Sequence, residues 1–237
     1  MGLPILLSRV KNIYYMKKII PLLSMLLICA LSELSAQDSS YHNYLYDSRT
    51  AYFKQLPVAK KPVIFFGDSI TQWGDWSEFL GKANVLNRGI AGDNTNGLLA
   101  RVEEVIRHRP ARLFILVGTN DINKQMPAAS IVQTYRRIIA AVQAQSPATR
   151  IYVQSVFPIN NQLIGRQYYS GTNEQIKTLN TGIREMATDM HISFVNVYDA
   201  LLDGAGQLDA RYTYDGLHLS GEGYLKWVNV LQQQRLI

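Results

Sequence analysis

Residues 63–70 read Val-Ile-Phe-Phe-Gly-Asp-Ser-Ile, and the reading of the whole chain hangs on them. Four β-branched or aromatic residues in an unbroken run suit a strand buried on both faces, since a strand with one wet face would alternate. Gly67 ends the run, and Asp68-Ser69 falls where a strand turns tightly into a helix. A serine at such a turn is held exposed at the top of a sheet, beside helix N–H groups that can receive an anion. Taken alone, Gly-Asp-Ser reads equally well as an ordinary helix cap.

Working outward, Val85-Leu86-Asn87, Leu113–Val117, Ile151–Val156 and Ile192–Val197 read as four further strands. Amphipathic helices lie between them. Ser130-Ile131-Val132-Gln133 has the capping-box pattern, followed by an apolar stripe of Ile131, Tyr135, Ile138, Ile139 and Val142. Thr172-Asn173-Glu174-Gln175 repeats it, followed by Ile176, Leu179, Ile183, Met186 and Met190. Leu98, Leu99, Val102, Val105 and Ile106 mark another helix, and Tyr224–Leu231 a last one. This alternation predicts an α/β fold, a three-layer sandwich around a central five-stranded parallel sheet, with ligands at the carboxyl ends of the strands.

The N-terminus has a different character. Met16-Lys17-Lys18 precedes an uncharged run from Ile19 to Leu31, and small residues up to Ala36 follow, the layout of a signal peptide over residues 1–36. Residues 1–15 read as an upstream extension, with Met16 a second candidate start. The apolar run is shorter than the ~20 residues of a membrane span. Ile28 is too large for the position before a lipidated cysteine, which argues against Cys29 as a lipoprotein anchor. Cleavage after Ala36 removes four cations and one acid and takes the net charge from +6 to +3, which weakens any case for nucleic acid. It also removes the one cysteine, and an exported chain without disulfides suits a bacterial periplasm or the extracellular space. Residues 37–62 read as a polar, Tyr-rich lead-in to a domain over 63–237. The oligomeric state is not legible.

Three more loops concentrate polar residues. Asn87-Arg88-Gly89-Ile90-Ala91-Gly92-Asp93-Asn94-Thr95 carries two glycines, where backbone turns tightly or approaches a ligand. In Gly118-Thr119-Asn120-Asp121, Asn120 either offers an amide donor to developing negative charge or makes a structural Asx-turn. Asp215-Gly216-Leu217-His218 sets a carboxylate and an imidazole three residues apart, able to face a common point. Histidine has the pKa of a general base, and a carboxylate can fix its tautomer. His42 lies in the lead-in, while His108 and His191 read as surface or helix-end residues, so His218 is the candidate base by elimination. No Cys/His cluster suggests a metal, and no cofactor motif is visible.

In this order the loops resemble the GDSL/SGNH hydrolase family, over about 63–233. Gly-Asp-Ser-Ile-Thr-Gln-Trp, Asn-Arg-Gly-Ile-Ala-Gly-Asp and Val-Gly-Thr-Asn-Asp-Ile are similar to its platelet-activating-factor-acetylhydrolase-like branch. Ile70 stands where the family's name has leucine. The resemblance implies the flavodoxin-like fold of that family and ester hydrolysis through an acyl-serine. Ser69, Asp215 and His218 would be catalytic, and Ser69, Gly92 and Asn120 would form the oxyanion hole. Asp68 and Asp121 are expected to be structural, and Trp73, Asp93 and Tyr168 are candidate pocket residues. Within Phe157–Tyr169, Pro158, Asn160, Asn161 and Tyr169 are further candidates to shape the pocket. An acetyl or other short acyl ester of a glycan is the expected substrate. A lysophospholipid or other small ester competes with it, and a catalytically idle glycan-binding protein is a third reading.

Overall fold

A computed structural model describes residues 41–237, so the expected signal peptide lies outside the described residues. The strands are Val63–Gly67 (β1), Val85–Gly89 (β2), Arg112–Leu116 (β3), Arg150–Gln154 (β4) and Ser193–Val195 (β5). All are parallel, in the order β2-β1-β3-β4-β5. The helices are Tyr44–Gln55 (α1), Ser69–Gln72 (α2), Trp76–Leu80 (α3), Thr95–Ala100 (α4), Val102–Ile106 (α5), Thr119–Asn123 (α6), Ala128–Gln145 (α7), Asn173–Asp189 (α8) and Gly221–Gln233 (α9). The expected α/β sandwich is therefore the observed one, with its strand-order reversal between β1 and β3, where such folds form their ligand crevice.

Alternate strand residues face opposite sides, so the sheet has two different faces. Ile64 and Phe66, with Leu113, Ile115, Ile151 and Val153, pack under α4, α5, α7 and α8 in a largely aliphatic layer. Phe65, Phe114 and Tyr152 share one register across β1, β3 and β4 and stack at 4.9 and 4.8 Å between centroids. Trp76 of α3 lies flat on Phe65 at 3.7 Å, and Trp227 of α9 meets Trp76 edge-on at 4.6 Å. Such pairs add roughly 0.5–1.5 kcal/mol each beyond burial. The result is a stiff platform under β1, the strand that leads to Ser69.

Several local expectations are corrected. The helix expected to start at Ser130 begins at Ala128, because Pro127 in extended backbone supplies the carbonyl that accepts from the Ser130 and Ile131 N–H groups. At α8 the Thr172/Gln175 capping box forms as the sequence suggests. The apolar stripe over 98–106 is two helices, not one, broken at Arg101 with φ −115° and ψ 14°. His108 is buried rather than on the surface, its Nδ1 accepting from the Ala59 N–H and its Nε2 meeting Glu104. The lead-in contains α1, which docks through Tyr46 and Phe53, with the Tyr46 hydroxyl donating to the Gly97 carbonyl.

Candidate active site

The loops at the carboxyl ends of β1, β2 and β3 and the loop before α9 carry the candidate residues. Ser69 opens α2, whose N-cap is Asp68: an oxygen of its buried carboxyl accepts the Ile70 N–H at 3.0 Å and fixes the turn. Ser69 Oγ lies 2.9 Å from His218 Nε2, and His218 Nδ1 lies 2.6 Å from Asp215 Oδ2. With the carboxylate on Nδ1, the proton sits on that nitrogen, leaving the Nε2 lone pair to accept from the serine hydroxyl.

The Asp-Gly-Leu-His loop is shaped by short local bonds. Asp215 Oδ1 accepts the Leu217 and His218 N–H groups at 2.9 and 2.7 Å, leaving Oδ2 for the imidazole. Gly216 has φ +85°, and a Cβ there would lie 2.6 Å from the Ile164 nitrogen, so glycine is required. Its carbonyl accepts from the Asn160 N–H at 2.8 Å, which pins the loop to the segment after β4. Burial pushes the Asp215 carboxyl up, but the hydrogen bonds from the His218 ring and the two N–H groups outweigh it and hold the group below its ordinary range.

The second half of the site lies in the loops after β2 and β3. Gly92 has φ +79°, and a Cβ built there meets nothing within 4 Å, so glycine serves the conformation and the space above it is open. The Ala91 N–H donates to Gln72 Oε1, tying this loop to α2. Asn120, in the first turn of α6, donates one amide hydrogen to the Asp93 carbonyl at 2.8 Å, and no acceptor among the described residues takes the second. Among the described residues, no acceptor engages the N–H groups of Ser69 and Gly92. Two free backbone donors and a half-used amide are what a developing oxyanion needs.

Three buried acids lie behind these donors. Burial, helped by the nearby Asp93 and Asp121, pushes the Asp68 carboxyl up to about 8 against the N–H groups of Ile70 and of its own backbone, so it is mostly neutral at pH 7 and puts little negative charge beside the nucleophile. Burial likewise raises Asp121 to about 6, although its carboxylate accepts from both the Thr95 N–H and hydroxyl. In Asp93 burial raises the carboxyl more than the adjacent Arg101 lowers it.

The candidate pocket residues divide. Trp73, about half exposed, lies over the His218 ring with centroids 4.0 Å apart. Asp93 is 1% exposed, its carboxylate turned inward to Arg101 and the Asn94 N–H, so it does not line a pocket. Tyr168 is exposed; its N–H donates to the Gly165 carbonyl and its own carbonyl accepts from Asn123, and no bond joins it to the Ser69–His218–Asp215 relay among the described residues. Within Phe157–Tyr169, Asn160 and Tyr169 are buried supports, since the Asn160 amide donates to the Leu208 carbonyl and the Tyr169 hydroxyl meets Thr119. Arg101 and Gln72, which brace the glycine loop, are not singled out by the sequence, because each reads as a polar residue on a helix. Among the described residues no group of three or more His, Cys, Asp or Glu could hold a metal ion.

Comparison with known proteins identifies the family. Residues 65–226 match the model of the GDSL-like lipase/acylhydrolase family. The chain is 28% identical over 194 residues to the platelet-activating factor acetylhydrolase IB subunit alpha1 of Bos taurus, covering 78% of this chain and 76% of that one. A solved structure from Streptococcus pneumonia, described as a platelet activating factor, superposes with a TM-score of 0.72 at 32% identity, covering 87% of this chain and 98% of its own. The acetylxylan esterase of Geobacillus stearothermophilus shares the fold, with a TM-score of 0.61 at 19% identity over 76% of this chain and 96% of that one. With a match that spans most of the chain and brings in the four loops, this protein belongs to the GDSL-like lipase/acylhydrolase family and is a carboxylic ester hydrolase.

Proposed function

We propose that the protein is an exported esterase that removes short acyl groups, acetyl foremost, from glycan esters through a covalent acyl-serine. The observation that carries the mechanism is the Oγ–Nε2 contact of 2.9 Å, continued through Nδ1 to Asp215 at 2.6 Å, beside the open space over Gly92. His218 takes the Ser69 proton as Oγ attacks the ester carbonyl, and Asp215 stabilises the imidazolium. The Ser69 and Gly92 N–H groups and the Asn120 amide receive the oxyanion. The imidazolium gives its proton to the departing alcohol, and water activated by the same His218 releases the acid.

Two relatives named for acetyl esters, the acetylhydrolase subunit and the acetylxylan esterase, support a short acyl group. Exposed aromatic rings at Trp73 and Tyr214, flanking the relay in sequence, support a sugar alcohol side, since such rings offer a flat apolar face. Export rests on the layout of residues 16–36. The platelet-activating-factor relatives favour a second reading, a small lipid ester.

The deciding experiment is acid release from a matched panel: acetylated xylo-oligosaccharides, an acetylated ether lipid, and aryl esters from acetate to octanoate. The glycan reading expects kcat/KM highest on acetylated oligosaccharides and falling with acyl length on the aryl series. A preference for octanoate, or for the lipid over every sugar, would overturn it.

A further inference from the structure

We propose that Arg101 is a positioning residue of the oxyanion hole, acting through Asp93; the inference rests on the acyl-serine reading above. Its guanidinium is buried, 2% exposed, and lies over the Phe66 ring at 4.5 Å. Nε donates to Asp93 Oδ2 at 2.8 Å, one terminal nitrogen to the Arg88 carbonyl at 2.9 Å, and the other to the Gly67 carbonyl at 2.9 Å. These acceptors lie on three different segments that lead into the hole. Gly67 ends β1 two residues before Ser69, Arg88 lies at the end of β2 before the glycine loop, and Asp93 follows Gly92 directly. The Asp93 carbonyl in turn holds the Asn120 amide at 2.8 Å. One planar cation therefore joins the ends of β1 and β2 to Asp93 and, through the Asp93 carbonyl, positions the Asn120 amide.

The local backbone is bent to permit this. The stripe from Leu98 to Ile106 would continue as one helix, yet the chain leaves helical geometry at Arg101, between α4 and α5. A buried ion pair is a poor way to gain stability alone, because desolvation offsets the attraction and apolar packing of similar volume does as well or better. A guanidinium does offer a rigid fork of donors in fixed directions, which an ammonium on a flexible stem cannot reproduce. Asp93 likewise keeps two tasks apart, its side chain to Arg101 and its carbonyl to Asn120.

The test is a double-mutant cycle on an aryl acetate with Arg101→Lys and Asn120→Ala, each checked for folding by circular dichroism and thermal melting. Asn120→Ala is expected to lower kcat by ~10²–10³, the usual cost of one oxyanion donor. Arg101→Lys is expected to lower kcat at least tenfold, with KM within about twofold, because the brace acts on the transition state. In the double variant the effects should not multiply: it should fall within about threefold of Asn120→Ala alone. Multiplying effects, a wild-type kcat in folded Arg101→Lys, or a raised KM with kcat unchanged would overturn the brace while leaving the acyl-serine reading intact. A wild-type kcat in Asn120→Ala would overturn the oxyanion reading and the brace with it. Should Arg101→Lys fail to fold, Asp93→Asn stands in: its single side-chain oxygen cannot accept from both the Asn94 N–H and Arg101, as the two carboxylate oxygens do, so it is expected to show the same kcat-only loss.

Discussion

The two halves of the site are built by opposite means. The half that carries Ser69, Gly92 and Asn120 is spread over the ends of β1, β2 and β3 and held from behind by buried polar groups: Asp68, Asp93, Arg101 and Asp121 are each at most 2% exposed. The half that carries Asp215 and His218 is one four-residue loop, with side chains 51% and 19% exposed, shaped by bonds between neighbours in sequence. Buried polar groups in low dielectric are costly when unpaired and rigid when paired. The proposed oxyanion half therefore has rigid, fold-wide geometry, and the proposed acid–base half has local geometry that water partly screens.

Replacement of the nucleophile breaks both halves at once. Ser69→Ala is expected to lower kcat/KM on an aryl acetate by ~10⁴ or more, measured under conditions that detect trace contaminating esterase. The next largest effect sharpens the contrast. In Asp215→Asn the loss is expected at ~10²–10³, short of the ~10⁴ typical of a buried triad carboxylate, because water partly replaces the charge beside His218. A loss as deep as that of Ser69→Ala would erase the distinction between the halves.

The smallest effect concerns stability. The Asp68 carboxyl is pushed up to about 8 in the folded protein, from an ordinary value of 3.8. Between those values the folded state holds a proton that the unfolded chain has lost, so stability falls as pH rises through that window. Asparagine cannot ionise, and its side-chain oxygen still accepts the Ile70 N–H. The melting temperature of Asp68→Asn relative to wild type should therefore climb from pH 4 to pH 8 and level off above. A difference that stays constant over that range would show that Asp68 is ionised in the fold.

The same contrast explains what could be seen in the sequence. The strand Val63–Gly67 and the capping box at Thr172 are legible because each depends on neighbours in sequence. The Asp215–His218 pair is legible for the same reason: the bonds by which Asp215 orients His218 lie within four residues. The oxyanion half is a tertiary object. Nothing in Leu98–Ile106 announces that Arg101 turns away from its stripe to reach Gly67, 34 positions earlier. Asp93, read from its loop position, resembles a pocket residue until the guanidinium that claims its carboxylate is seen. His108 misleads similarly, since Glu104 and the Ala59 N–H, which satisfy it inside the protein, come from different elements.

The central claim is that Ser69 is an activated nucleophile that forms a covalent intermediate. A fluorophosphonate titration followed by intact and peptide mass spectrometry tests it most directly. The expected result is one adduct per chain, located on the peptide that contains Ser69, with activity lost in proportion to labelling and labelling abolished in His218→Ala. Full esterase activity without an adduct at Ser69, or labelling at that serine that does not need His218, would contradict it.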